Sequence, residues 1–287
     1  MAFAWQNSPF GVQRRGTWIT PGPPPGPVLF CEPADRRMRA ELAGCTLADS
    51  DDAVILHETA RYPVAYFPRE HVRSDLLVDS NHTTRSEHLG VARHWTIRMA
   101  ERTAVNAAWS YEQPPEAAAP LAGRMAFAWR AIDRWFEEDE EILGHAADPY
   151  HRIDIRNSRR HVVVRAGSVV IADTTRSLLV LESGFAPRFY VRAHDIREGP
   201  LIEQSTRTFC PYKGVAHYYT VATGTERLAA AAWAYPDPLP ESSRLRGHVS
   251  FDAEVVDVEV DGKPLRPRAG QTVDPQGTDH DLTWTRE

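Results

Sequence analysis

The feature that most constrains the fold of this chain is an internal duplication. When the sequence is shifted by 124 positions, residues from about 39 to 127 align without a gap on residues from about 163 to 251. About twenty of roughly ninety aligned positions are identical, several times what ordinary residue usage gives by chance. Because a sequence repeat marks a repeated structural unit, the chain is expected to contain two copies of one fold.

The identical positions include residues with distinctive chemistry. A glutamate, an arginine, two tyrosines and a tryptophan recur at the same offset. They are Glu58 and Glu182, Arg73 and Arg197, Tyr66 and Tyr190, Tyr111 and Tyr235, and Trp109 and Trp233.

Within each copy the pattern predicts mainly antiparallel β structure. Residues 161–165 and 168–172 flank Ala166-Gly167, a two-residue turn with a glycine where positive φ is needed. Further β-branched and aromatic runs between Gly, Pro, Ser and Thr clusters predict strands at 178–181, 188–191, 216–221 and 228–233.

One segment, residues 121–143, has a different pattern. Its apolar residues recur at helical spacing, with the acidic run 137–141 on the opposite side. This spacing predicts a helix that connects the two copies, whereas residues 251–260 alternate with period two and predict a strand. The expected fold class is therefore mainly β (α+β overall), with two duplicated antiparallel β-rich domains and a connecting helix.

The same patterns predict the domain organisation. Residues 1–36 form an arm, because the Pro-rich run from Pro21 to Pro27 cannot join a sheet or a helix interior. The first repeat with its linking helix spans 37–143, a linker spans 144–159, and the second repeat spans 160–263. Residues 264–287 are polar and rich in Pro, Gly and Asp, and they predict a loose tail.

Charge and composition favour small-molecule partners. The chain has 33 basic and 39 acidic side chains, with both signs interspersed, so nucleic acid and anionic membranes are not expected partners. It has no run of eighteen apolar residues and no secretory signal pattern, which predicts a cytoplasmic protein. Three widely spaced cysteines without a CxxC pair argue against disulfides and a cysteine zinc site. The sequence identifies neither a cofactor nor an oligomeric state.

Several motifs in both copies carry a family resemblance. The second copy contains residues 207–214 (RTFCPYKG) and 232–241 (AWAYPDPLPE), and the first contains 66–73 (YFPREHVR), 82–84 (HTT) and 108–111 (AWSY). Together they resemble the DUF427 family, over roughly residues 37 to 260. The resemblance implies a compact β-rich domain and, through the family's label, nucleotidyltransferase activity.

The two copies depart from the family pattern in complementary ways. The first copy has Ser86 to Gly90 where the family has a Cys-Pro-x-Lys-Gly loop, and the second has Thr206 to Thr208 where it has His-Thr-Thr. A site that needs both sets of groups cannot be present twice, so we expect one lobe to hold the better-formed pocket. Nucleotidyl transfer is less favoured, because neither copy has a P-loop or a close carboxylate pair to hold Mg²⁺.

The repeated glutamates are the first candidate site residues. Glu58 and Glu182 each follow an apolar run, where burial of an unpaired carboxylate would be costly. We expect Glu58 to pair with Arg73 and Glu182 with Arg197, within each lobe. Two roles stay open for these groups, a general acid/base or ligand clamp and a structural ion pair.

The other candidates are aromatic residues and one loop. Tyr66 and Tyr190 are expected as core aromatics, with a pocket wall as the alternative. Cys210 is close in sequence to Lys213, which could lower the pKa of its thiol. Two interpretations of Cys210 are therefore open, a thiolate nucleophile and a buried, inert cysteine.

The histidines of the first copy do not predict a metal site. His82, His88 and His94, with Glu87, lack a recognised ligand spacing.

These observations predict an enzyme that acts on a small molecule, with its site in one lobe or at the lobe interface. One form of this hypothesis places Glu58 and Tyr66 at a cleft that the second lobe completes. The rival is a non-catalytic binding module that uses the same groups. The pKa and exposure of Glu58 and Glu182 distinguish a working carboxylate from a structural one.

Overall fold

The computed structural model describes Phe10, Ile19, residues 28–224 and residues 226–265. The described residues 28–148 form one compact unit and residues 149–265 another; they are called the first and the second lobe below. Most of the predicted arm and nearly all of the predicted tail lie outside the described residues. Among the residues described, no helix is long and apolar enough to cross a membrane.

The first lobe consists of eleven strands in two antiparallel sheets. A seven-stranded sheet has the order β1-β4-β5-β9-β8-β7-β6, and a four-stranded sheet has the order β11-β10-β2-β3. The strands are β1 (Leu29–Pro33), β2 (Met38–Leu42), β3 (Cys45–Ser50), β4 (Val54–Glu58), β5 (Val64–Pro68), β6 (Leu77–Ser86), β7 (Gly90–Arg98), β8 (Thr103–Ser110), β9 (Arg124–Phe127), β10 (Arg134–Glu137) and β11 (Glu140–Ile142). Short 3₁₀ helices lie at Arg69–His71, Ser74–Leu76, Glu116–Leu121 and Trp129–Ala131.

The second lobe repeats this topology. Its seven-stranded sheet has the order β12-β15-β16-β20-β19-β18-β17, and its four-stranded sheet the order β14-β13-β21-β22. The strands are β12 (Ile153–Ser158), β13 (Val162–Ala166), β14 (Val169–Thr174), β15 (Ser177–Glu182), β16 (Arg188–Arg192), β17 (Leu201–Cys210), β18 (Gly214–Ala222), β19 (Arg227–Ala234), β20 (His248–Phe251), β21 (Asp257–Val260) and β22 (Lys263–Pro264). Its 3₁₀ helices lie at Ala193–Asp195 and Pro240–Leu245.

The register of the strands confirms the duplication at single residues. Glu58 faces Leu29 across β4 and β1, and Glu182 faces Ile153 across β15 and β12, each 124 positions further on. Even the backbone irregularities are shared, since Asn106 in β8 and Ala230 in β19 both have positive φ.

Each seven-stranded sheet packs apolar side chains on both faces. Its inner face meets the four-stranded sheet and forms a core that includes Ile55 and Phe67 in the first lobe, and Phe189 and Val191 in the second. Its outer face carries a second core beneath the six-residue 3₁₀ helix. Because strand side chains alternate, one β4 strand sends Ile55 to the inner core and its neighbours to the outer one.

The helix predicted for residues 121–143 is wrong. This segment contains β9, a single 3₁₀ turn, β10 and β11 instead. The turn brings Trp129 against Trp135, with ring centroids 4.4 Å apart, and Trp135 Nε1 donates to the Trp129 carbonyl 3.1 Å away. The apolar residues recur three or four positions apart in this segment because a tight turn joins two strands, and not because they share one face of a helix. The strand predicted at the end of the second copy is confirmed in part, as β21.

The duplicated unit begins earlier in the chain than the sequence predicted. Strand β1 lies inside the segment assigned to the arm, and β12 lies inside the segment assigned to the linker. Each is the outermost strand of its seven-stranded sheet, and each pairs with the strand that carries the repeated glutamate.

Candidate functional site

Glu58 lies at the end of β4, on the outer face of the first lobe's large sheet. It shares this face with Leu56 and with Leu29, its register partner on β1. Its side chain is 28% exposed, and its ion-pair partner is Arg61, with 3.5 Å between Arg61 Nε and Glu58 Oε2. The Arg61 side chain is itself 53% exposed, so this pair is weak and accessible to water.

Burial raises the pKa of Glu58, although the charges of Arg61 and His88 partly oppose this shift. The neighbouring phenol of Tyr111 is also perturbed, because burial and the charge of Glu58 raise its pKa to about 12. The surroundings of Glu58 therefore favour the protonated form of its carboxyl group more than water does.

A cavity of about 280 Å³ lies on the same face of the first lobe. Its lining is mainly aliphatic and comes from β1, β4, the β6–β7 loop and the 3₁₀ helix above the sheet. The lining residues are Leu29, Cys31, Leu56, His88, Leu89, Ala117, Ala118 and Leu121. Glu58 lies beside this cavity and not in its lining, since it neighbours the lining residues Leu29 and Leu56 on the sheet and interacts electrostatically with His88.

Glu182 occupies the equivalent place in the second lobe, but its carboxylate is fully paired. Lys213 Nζ donates to Glu182 Oε2 at 2.6 Å, and His151 Nε2 lies 3.1 Å from Glu182 Oε1. All three side chains are at most 10% exposed. Buried carboxylate, ammonium and imidazole thus form one closed cluster.

The charges of this cluster stabilise each other. Burial by itself would raise the pKa of Glu182, but the Lys213 ammonium and the His151 hydrogen bond lower it well below its usual range. Burial would lower the pKa of Lys213, but Glu182 and nearby phenols raise it well above its usual value. Glu182 and Lys213 are consequently both charged over the whole neutral range.

The loop that carries Lys213 is held by local packing. His151 stacks on Tyr212, with ring centroids 4.1 Å apart, and the Lys213 carbonyl accepts a hydrogen bond from the Leu239 amide at 3.2 Å. Gly214 follows with φ of 97°, and a Cβ added there would lie 3.3 Å from the Asp237 carbonyl oxygen. Glycine is needed because the chain turns sharply and passes close to the next loop.

The lining positions differ between the lobes in size and charge. Leu89 corresponds to Lys213, and Cys31 corresponds to the larger Ile155. The second lobe has a cavity of about 40 Å³ elsewhere, between its two sheets, with Phe189, Val191 and Val258 in the wall. The larger of these two cavities therefore lies next to Glu58, whose pKa is raised.

The predicted pairing of the repeated glutamates with the repeated arginines is wrong. Arg73 makes a bidentate contact with Asp75 at 2.8 Å on the surface, and the Arg197 side chain is exposed. What the two arginines share is a backbone role. Arg73 donates its amide to Leu47 and Arg197 donates its amide to Ile171, two equivalent positions.

Tyr66 and Tyr190 are buried beside the repeated glutamates. Each hydroxyl accepts a hydrogen bond from the repeated tryptophan, Trp109 at 3.0 Å and Trp233 at 3.1 Å. This contact fixes the aromatic part of both outer cores in the same arrangement, as expected for core aromatics with satisfied polar tips.

Cys210 lies at the end of β17, half-buried beside the cluster of Glu182, Lys213 and His151. Burial raises the pKa of its thiol, although the Lys213 ammonium acts in the opposite direction. A raised pKa opposes the thiolate form that a nucleophile needs, and favours the buried, inert cysteine. All three cysteines are free.

The histidines of the first copy divide between different environments. His82 packs against His94 with centroids 4.6 Å apart, His94 Nε2 lies 3.0 Å from the Thr84 hydroxyl, and His88 lines the cavity. Across the described part of the chain, no three His, Cys, Asp or Glu side chains form a group that could hold a metal ion.

Sequence reasoning missed His151, Arg61 and Cys31 as members of these two environments. His151 and Cys31 lie on or beside the edge strands β12 and β1, in segments assigned to the linker and the arm. Extension of the repeat alignment beyond residues 39 and 163 toward the N-terminus would have included both of these strands.

Two similar antiparallel β lobes in tandem, each with a glutamate on the outer face of its large sheet, define the class of this protein. The chain belongs to the family described as a domain of unknown function, DUF427, which matches it twice, at residues 30–138 and 154–262. Both matches begin near the edge strands β1 and β12. No curated protein matches the chain significantly.

Proposed function

We propose that the first lobe is the working lobe of an enzyme that acts on a small molecule. Its cavity would hold the substrate, and Glu58 would transfer a proton to or from it. The observation that carries this proposal is the contrast between the two glutamates. Glu58 has a raised pKa and lies beside a cavity of about 280 Å³, whereas the ionised Glu182 is paired with Lys213 and His151.

The chemistry fits a general acid/base. A carboxyl group in partly apolar surroundings, with a raised pKa, is a stronger proton acceptor than a carboxylate in water. The aliphatic lining would exclude water and hold a small, mainly apolar substrate. The volume lies near the lower end for ligand sites, which favours a compact substrate.

The composition of the lining also supports a second candidate, a non-catalytic binding site. His88 and Cys31 are the titratable side chains among the eight lining residues. A site with so few polar groups could hold a ligand without chemistry. In that case Glu58 would orient the ligand and transfer no proton.

The family's label suggests nucleotidyl transfer, which the lining supports less well. Mg²⁺ and phosphate groups need several carboxylates and basic or backbone donors. Among the eight lining residues there is no lysine, arginine or carboxylate, and Glu58 is a single acid at the border. The predicted cytoplasmic location, the exclusion of nucleic-acid and membrane partners, and a cleft completed by the second lobe stay predictions.

Mass spectrometry of small molecules retained by gently purified protein tests the proposal. We expect the wild type to retain a compound, and Cys31→Ile, which introduces the larger residue of the second lobe, to lose it. At a concentration of the compound that saturates each protein, Glu58→Gln should reduce turnover by about 10²- to 10⁴-fold, the usual contribution of a general acid/base. Glu254→Gln, on an exposed turn of the second lobe, is the matched acid-to-amide control.

Three results would count against this function. If Cys31→Ile retained the compound as well as the wild type, the site would not be this cavity. If Glu58→Gln turned the compound over normally, Glu58 would not be the general acid/base. If the wild type did not turn the compound over at all, the binding module would replace the enzyme.

A further inference from the structure

The second lobe contains an internal example of what this glutamate position can bind. The ammonium of Lys213 reaches Glu182 at the end of an aliphatic side chain and lies 5.7 Å from the centroid of the Tyr235 ring. A carboxylate and an aromatic face on the same apolar sheet surface thus recognise an alkylammonium group.

The first lobe keeps this recognition environment but lacks the lysine. Glu58 and Tyr111 correspond to Glu182 and Tyr235, whereas Leu89 stands where the second lobe has Lys213. In the described residues, the cation paired with Glu58 is Arg61, at 3.5 Å and with a half-exposed side chain. Among the described residues, no cation lies as close to Glu58 as Lys213 Nζ does to Glu182 Oε2, at 2.6 Å.

The space beside Glu58 is suited to the alkyl part of such a group. Leu89 itself lines the cavity of the first lobe, together with Leu29 and Leu56. A cation near the partly buried Glu58 would satisfy a carboxylate that burial otherwise penalises. An anion at the same place would be repelled by the ionised carboxylate.

We infer that the cavity of the first lobe binds a small primary amine in its ammonium form, with Glu58 as the ion-pair partner and the alkyl chain against the leucines. This inference rests on the proposed placement of the site in the first lobe, and it adds the chemical class of the ligand. The second lobe would then be permanently occupied by its own lysine side chain, and only the first would take a free amine.

Isothermal titration of the full chain at pH 7 with three probes of equal chain length tests the inference. The probes are n-pentylamine, 1-pentanol and pentanoate. We expect n-pentylamine to bind at least 10-fold more tightly than 1-pentanol, and pentanoate to bind more weakly than both. Glu58→Gln should reduce n-pentylamine binding at least 10-fold and leave 1-pentanol binding nearly unchanged, whereas Glu254→Gln should change neither.

Leu89→Lys provides the sharpest variant, because it gives the first lobe the residue that the second lobe has. The ammonium of the new lysine should pair with Glu58 and weaken the binding of n-pentylamine at least 10-fold. The melting temperature of the protein should rise or stay unchanged. Circular dichroism establishes that each variant is folded. If folded Leu89→Lys bound n-pentylamine as well as the wild type, the inference would be wrong.

The remaining outcomes separate this inference from the proposed function. Equal affinities for n-pentylamine and 1-pentanol, both lost in Cys31→Ile, would overturn ammonium recognition and support the cavity as a ligand site. Absence of n-pentylamine binding to the wild type would also overturn the inference. The proposed function would then be judged by the compound that the protein retains on purification.

Discussion

The two lobes place the same glutamate on the same sheet face and satisfy it in different ways. In the second lobe a lysine and a histidine enclose Glu182, and its pKa is lowered below the usual range. In the first lobe Glu58 has a half-exposed arginine as its ion-pair partner, a raised pKa and an adjacent cavity. In a duplicated scaffold, one copy of a site can thus become a structural cluster while the other stays open.

The difference lies in the loops and edge strands and not in the sheets. The Tyr–Trp hydrogen bond, the strand order and the positive-φ bulge are the same in both lobes. The groups that differ are Lys213 and His151, which reach Glu182 from a hairpin loop and from the segment before β12. A loop or edge residue can change without disturbance of a shared core, so the site diverged faster than the fold.

The largest effect should come from Lys213→Leu, which gives the second lobe the residue of the first. It leaves the carboxylate of Glu182 buried with one partner fewer, and loss of one member of a buried ion pair costs about 3–5 kcal/mol. Denaturant-dependent hydrogen exchange, read on peptides of each lobe, should show this loss in the second lobe only. A loss below about 1 kcal/mol would mean that the pair is accessible to water and does not close the site.

Glu182→Gln and Glu58→Gln should have unequal effects on stability at pH 7. The first leaves the Lys213 ammonium buried and should cost about 3 kcal/mol. The second removes a carboxylate whose ionised form burial penalises, so stability should rise or change by less than about 1 kcal/mol.

The pH dependence of these two variants has opposite signs. The folded-state pKa of Glu182 is lowered, so its contribution is complete above the unfolded value of 4.5 and is lost as pH falls below it. The folded-state pKa of Glu58 is raised above 4.5, so its penalty is present at neutral pH and disappears as pH falls toward 4.5. Unfolding of each variant against wild type between pH 3 and pH 7 measures both differences. Parallel curves would contradict the contrast between the lobes.

Tyr66→Phe and Tyr190→Phe should both destabilise their lobes, because both remove the acceptor of a tryptophan N–H, part-buried in Trp109 and buried in Trp233. An unsatisfied buried donor costs about 1–3 kcal/mol. Hydrogen exchange of each lobe gives the two values under the same conditions. A cost confined to one lobe would show that the shared aromatic core is less equivalent than the distances of 3.0 Å and 3.1 Å indicate.

The smallest effects should come from Arg73→Ala and Arg197→Ala. Both side chains are exposed, and the surface pair of Arg73 with Asp75 is of a kind that contributes about 0–1 kcal/mol. Thermal unfolding should place both variants within about 0.5 kcal/mol of wild type. A larger loss in either would restore a structural role for the repeated guanidinium groups.

Local sequence patterns were sufficient to predict the duplication, the β-rich class and most strands of the second copy. These features follow from local patterns, namely a constant offset, period-two alternation and a glycine turn at 166–167. The same local reasoning failed at residues 121–143, because a 3₁₀ turn between two strands also places apolar residues three or four apart. Periodicity alone cannot separate a helix from strands folded back in this way.

The groups that satisfy each glutamate became evident from the three-dimensional arrangement and not from the sequence. The sequence identified Glu58 and Glu182 as carboxylates in need of partners, and it offered the repeated arginines because they were repeated. The actual partners of Glu182 come from residues 31 positions away on either side, His151 and Lys213. The tertiary arrangement of the second lobe brings these residues together, and the free energy of a buried charge depends on that arrangement, which the local sequence does not encode.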